Sequence, residues 1–132
     1  IISIANGVGQ DQYILAIDGS SDLNKLELEL NNTEIARGST TINSGGTTWY
    51  HVASTWDKDK NSGLASLYIN GMLDGTGYHT STLTDYWHDV QIARFNTWDE
   101  FTGLIDEVKI FNYALTQEQI EKEYTGGAVR FE

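Results

Sequence analysis

Apolar and polar residues alternate in short runs along most of the chain, and Gly, Asn, Asp and Ser interrupt these runs roughly every eight to twelve residues. A period of two sends side chains alternately to two faces, as a strand does, and turn signals at that spacing are the rhythm of a sandwich or barrel. The pattern predicts strands over Gln12–Ile17, Lys25–Leu30, Trp49–Trp56, Leu64–Ile69, Met72–Asp74, Val90–Arg94 and Leu104–Phe111. The expected class is all-β, a sandwich or a barrel.

Two local signals sharpen this reading. Asn70-Gly71 sits between apolar residues on both sides, and both positions accept the positive φ of a type I′ turn, so Leu64–Asp74 is expected as a hairpin. Near the C-terminus, Thr116 is placed to cap a short helix, with Gln119 completing a capping box and Leu115 stapling onto Ile120. Gly126-Gly127 then ends that helix. The chain has no Pro, against an average usage of about 5%, so its turns depend on Gly, Asn and Asp. No internal repeat or low-complexity segment is visible.

Residues 48–57, Thr-Trp-Tyr-His-Val-Ala-Ser-Thr-Trp-Asp, are aromatic on both faces of the predicted strand, with Trp49 and His51 on one and Tyr50 and Trp56 on the other. A strand without a clearly polar face belongs in the middle of a covered sheet, so both Trp are expected in the core. His51 has no second His, Asp or Glu at motif spacing and is expected to be a hydrogen-bonded structural residue.

Composition narrows function by exclusion. The 132 residues fit one domain, which buries roughly two thirds of its unfolded surface. A net charge of −11, from 19 acidic and 8 basic side chains, opposes nucleic acid and anionic membranes. No run approaches the roughly 20 apolar residues of a membrane helix. The absence of Cys removes disulfides, thiolate metal sites and thiol catalysis. A start at Ile1-Ile2 without a charged-then-apolar leader is expected of a piece of something longer.

"WYHVASTWD", "LYINGMLDG" and "FTGLIDEVKIFNYALTQEQIEKEY" together resemble, in order, the signature of the laminin-G-like, concanavalin A-like jelly-roll domains, relatives of the pentraxins. The match covers roughly Thr48–Tyr124. The resemblance implies two packed antiparallel sheets and one such domain over residues 1–132, with one short C-terminal helix. It also implies a secreted or cell-surface protein that binds glycans or proteins. Family members carry further strands before the segment similar to "IISIANGVGQDQYILAIDG", whereas Ala128–Glu132 resembles the strand with which such domains begin. Residues 128–132 are therefore expected to be the start of a next repeat, or a permuted or swapped strand. An incomplete sandwich also leaves a sheet edge open to another chain.

Alternation places Asp106 among Leu104, Val108 and Ile110 unless a bulge re-aims it, and a carboxylate there needs backbone donors or a hard cation. The resemblance implies structural Ca²⁺ with Asp106 as a ligand; the other expectation is Asp106 or Glu107 as a hydrogen-bond acceptor. Asp57, Asp59 and Asn61 alternate like the start of a calcium loop, but Ser62 and Tyr68 stand where Gly and an acid are required, so residues 57–63 are expected as a solvated hairpin connection.

Residues 84–101 hold Tyr86, Trp87, His88, Trp98 and Asp99 beside the predicted strand Val90–Arg94, among polar turn residues. Aromatic faces next to hydrogen-bonding groups suit a sugar ring, so Tyr86, Trp87 and Trp98 are expected as the platform, with His88 and Asp99 as polar contacts. A large ring at such a place also serves to plug one end of a sandwich. Catalysis is not expected: residues 99–107 do not supply the E-x-D-x-x-E register of related jelly-roll glycosidases, and no hydrolase triad or phosphate loop is present. Asn31 lies in a glycosylation sequon.

These observations lead to a non-catalytic carbohydrate-binding or adhesion module, extracellular or at the cell surface, whose partner is a glycan or a cell-surface protein. The alternative expectation is a structural or assembly module that links neighbouring chains or domains, or itself, through sheet edges.

Overall fold

The computed structural model describes residues 2–5, 11–19, 24–43, 45, 48–83, 89–95 and 99–126. Its elements are β1 (Ile2–Ala5), β2 (Asp11–Asp18), β3 (Lys25–Leu30), β4 (Thr33–Thr41), β5 (Val52–Trp56), β6 (Leu64–Ile69), β7 (Met72–Tyr78), β8 (Asp89–Ile92), β9 (Arg94–Phe95), β10 (Asp99–Glu100) and α1 (Gln117–Tyr124). A five-stranded sheet in the order β4-β3-β2-β1-β8 faces a three-stranded sheet in the order β5-β6-β7, and β9 and β10 form a separate ribbon. Every strand pairing is antiparallel, as expected of a sandwich.

Strict alternation in β3 explains where the core lies. Leu26, Leu28 and Leu30 are fully buried while Lys25, Glu27 and Glu29 point the other way, and the leucines meet Leu67 and Ala65 of β6 across the interior. Each buried Leu is worth roughly 2 kcal/mol of removed apolar surface. Tyr13 on β2 reaches over the interior to Ser54 on β5, their hydroxyl oxygens 2.6 Å apart, and burial raises the Tyr13 phenol above its ordinary pKa against the opposing effect of that hydrogen bond. At the β4 end the sheets close tightly: a Cβ on Gly77 or Gly75 would collide with the carbonyls of Ile35 and Arg37.

The local signals hold. Asn70 and Gly71 take φ of 52° and 78° between β6 and β7. Thr116 and Gln119 form the reciprocal capping box, and Leu115 and Ile120 pack with Tyr68 as a small second core. Gly126 follows the helix at φ 64°.

Four expectations need correction. Trp49 is 60% exposed, because β5 starts at Val52 and residues 48–51 lie outside the ladder; only Trp56 packs against the core. His51 is half-buried against the Tyr124 ring at 5.6 Å, but its buried Nδ1 has no hydrogen-bond partner among the described residues. Leu104–Phe111 joins no ladder with a described strand, and Glu107 at φ 54° interrupts its alternation. Ala93 at φ 63° likewise divides the predicted Val90–Arg94 strand into β8 and β9. Ala128–Glu132 lie outside the described residues. Among those described, no helix is long and apolar enough to cross a membrane.

Candidate ligand-binding cleft

Three chain segments meet at one end of the sandwich. The β5–β6 turn leaves the small sheet after Trp56 and returns through Asn61, Ser62 and Gly63, all with positive φ. The segment after β7 passes beside it, where the His79 N–H donates to the Gly63 carbonyl at 2.9 Å. The run into α1 brings Asn112, Tyr113 and Ala114 alongside, and the result is an open cleft of about 410 Å³ lined by Trp56, Asp57, Lys58, Thr82, Leu83, Asn112, Tyr113 and Ala114.

Its floor is fixed. The Trp56 indole N–H donates to the His79 carbonyl at 2.8 Å, and Leu83 packs onto the main core. Asn31, in the β3–β4 turn, donates through Nδ2 to the Thr82 carbonyl at 3.4 Å and lies 3.3 Å from the His79 Nε2. On the wall, Tyr113 is 58% exposed, with Phe111 edge-on to it at 6.1 Å.

Asp57 supplies the negative group. Its Oδ1 accepts the Asp59 backbone N–H at 3.1 Å, and this bond, ahead of the Lys60 ion pair, holds the carboxyl below its ordinary pKa. The turn is the solvated connection expected of it. The cleft thus combines an exposed ring face with an ionised carboxylate, an ammonium at Lys58, an amide at Asn112 and a hydroxyl at Thr82.

The residues expected from sequence are distributed differently. Tyr86, Trp87, His88 and Trp98 lie outside the described residues, as does the Asp99 side chain, although the Asp99 backbone pairs with Phe95 in the β9–β10 ribbon. Asp106 is exposed, and its Oδ1 accepts the Glu107 N–H at 2.8 Å, which is the acceptor role. Calcium needs six to eight oxygens. Among the described residues no three His, Cys, Asp or Glu side chains come together as a metal-ligating group.

A second charged cluster stands on the outer face of the large sheet. Arg37 of β4 pairs with Asp18 of β2, with Glu27 of β3 and with Glu34. Burial first, then repulsion from Asp18 and Glu29, pushes Glu27 up to about 7. Arg37 stays charged, held by its bonds to Glu34 and Asp18. Near α1, Lys109 pairs with Glu123 at 2.8 Å and with Glu107 at 3.4 Å.

Comparison with known proteins gives one family and one structure. The model of the concanavalin A-like lectin/glucanases superfamily, Laminin_G_3, matches residues 1–121. No curated protein matches the chain. The crystal structure of residues 221–444 of an S-layer domain-containing protein from Clostridium thermocellum ATCC 27405 is similar at 20% identity and a TM-score of 0.45. The similarity covers 91% of this chain and 65% of that one, less than two thirds of its length.

Proposed function

The chain belongs to the concanavalin A-like lectin/glucanase superfamily, and from that premise we propose a non-catalytic carbohydrate-binding module of an extracellular or cell-surface protein, which holds a sugar ring between Asp57 and Tyr113. One observation carries this reading: an exposed aromatic face and four hydrogen-bonding side chains share a single open cleft. A pyranose presents an apolar C–H face and a rim of hydroxyls. Tyr113 stacks on the first, while Asp57 accepts and Asn112, Lys58 and Thr82 donate to the second. The superfamily includes both lectins and glucanases, and the chemistry of the cleft favours the lectin side. Glycoside hydrolysis ordinarily uses two facing carboxyls, and of the described lining residues only Asp57 is acidic.

A glycan array with the purified chain tests the proposal. The wild type is expected to bind one sugar class, Tyr113→Ala to lose that signal and Tyr113→Phe to keep most of it. Binding that survives Tyr113→Ala but disappears in Trp87→Ala or Trp98→Ala would move the site to residues 84–101. A blank array would remove the carbohydrate reading altogether.

A further inference from the structure

Charge is not spread evenly around the cleft. Lys58 and Lys60 balance Asp57 and Asp59 within the β5–β6 turn, so the rest of the chain carries the whole net charge of −11. The two ion pairs of the turn also differ in what they leave free. Lys58 lines the cleft, but its ammonium donates to Oδ1 of Asp59, which does not. Asp57 lines it too and is only 29% exposed, whereas its partner Lys60, 3.3 Å away, is 80% exposed. A pair to so exposed a lysine is weak and screened by salt. The Asp57 carboxylate therefore presents its charge to the cleft with no fixed cation beside it, and the Asp59 backbone N–H at 3.1 Å holds it in one orientation.

Tyr113 contributes the complementary group. Its ring is exposed, with Phe111 edge-on behind it, and an aromatic face attracts a cation within about 6 Å of its centre. A carboxylate and an open aromatic face in one cleft are the two groups that recognise an ammonium. An anionic ligand meets the reverse: an ionised acid in the lining, a lysine already engaged, and a chain whose net charge repels it.

We propose that the ring held in this cleft carries a protonated amine, an amino sugar of the glucosamine kind, with its ammonium between Asp57 and Tyr113. The inference rests on the carbohydrate reading of the cleft and adds the charge of the ligand to it. The sugar hydroxyls go to Asn112, to Thr82 and to those N–H groups of Lys58 that Asp59 does not hold. A charge-assisted hydrogen bond is about twice as strong as a neutral one, so the free amine is expected to bind roughly 10-fold more tightly than its acetylated counterpart.

Titration calorimetry with oligosaccharides of equal length, one of glucosamine and one of N-acetylglucosamine, tests this at a pH that keeps the free amine charged. The wild type is expected to prefer the first by about 10-fold or more, and Asp57→Asn to abolish that preference. The amide keeps Oδ1 as acceptor for the Asp59 N–H, so the turn is retained. Should that variant fail to fold, an oligogalacturonide is read against the wild type instead, and is expected to bind more weakly than the acetylated chain. Equal affinity for the two chains would overturn the amine, and if both are lost in Tyr113→Ala the sugar cleft itself still stands. A preference that survives in Asp57→Asn would overturn the proposal as well, because the overall charge then accounts for it, and so would tighter binding of the oligogalacturonide. Binding of none of the three would remove the carbohydrate reading and this inference with it.

Discussion

The Trp56 indole N–H and the His79 carbonyl are joined at 2.8 Å, with the two rings 5.8 Å apart, so the polar group of the Trp is already committed within the protein. That commitment makes Trp56 a strut beneath the cleft and leaves the exposed Tyr113 ring as the face available for stacking. Trp56→Phe keeps most of the apolar contact but orphans the His79 carbonyl. It is expected to cost about 1–3 kcal/mol, read as a shift in the urea midpoint at unchanged m-value.

Asp57 carries the polar half of the cleft. Its lowered pKa keeps it ionised, and an ionised acceptor binds a hydroxyl more strongly than a neutral amide does. Asp57→Asn is therefore expected to weaken glycan binding about 10-fold or more by titration calorimetry, with the far-UV spectrum unchanged.

Core and cap respond on different scales. Leu28 is fully buried between the sheets, so Leu28→Ala is expected to cost about 2–5 kcal/mol. Thr116→Ala removes the side-chain acceptor for the Gln119 N–H and is expected to cost about 1 kcal/mol. Thermal melts of the two variants side by side check the ratio.

What the sequence made legible was the chemistry that closes over a few residues. Asn70-Gly71 admits one turn type, and Thr116 with Gln119 satisfies the helix end without help from elsewhere. β4 escaped because it offers only Ile35 and Ala36 as apolar residues in nine, although Asn31-Asn32 at φ 50° and 59° is the turn that announces it. Trp49 and Trp56 look alike in sequence and differ in burial because the ladder begins between them. The cleft was hidden for a related reason. Asp57 and Tyr113 belong to two motifs far apart in the chain, and only the packing of the β5–β6 turn against the approach to α1 brings them together. The aromatic density at 84–101 drew attention in their place.

Glu27 gives the fold a pH dependence of unusual sign. Its carboxyl is 13% exposed, lies beside Asp18 and shares one Arg37 with two other acids, so it titrates at about 7 rather than at its ordinary 4.5. A raised folded-state pKa means that the native state holds a proton the unfolded chain releases. The stabilising contribution of neutral Glu27 is complete below pH 4.5 and is lost as pH rises through about 7. His51 acts in the opposite direction over part of that range: burial lowers its pKa from 6.5, so its contribution is present above 6.5 and lost as pH falls. A wild-type melt alone sums the two, and Glu27→Gln separates them, because the amide reproduces the neutral side chain at every pH. The variant is expected to match the wild type near pH 4.5 and to exceed it at pH 8 by on the order of 1–2 kcal/mol, the full shift being discounted for the part-exposed Arg37 beside it. Equal stability of the two proteins at both pH values would mean that Arg37 neutralises Glu27 as fully as it does Asp18 and Glu34, and that the four side chains form a balanced clamp.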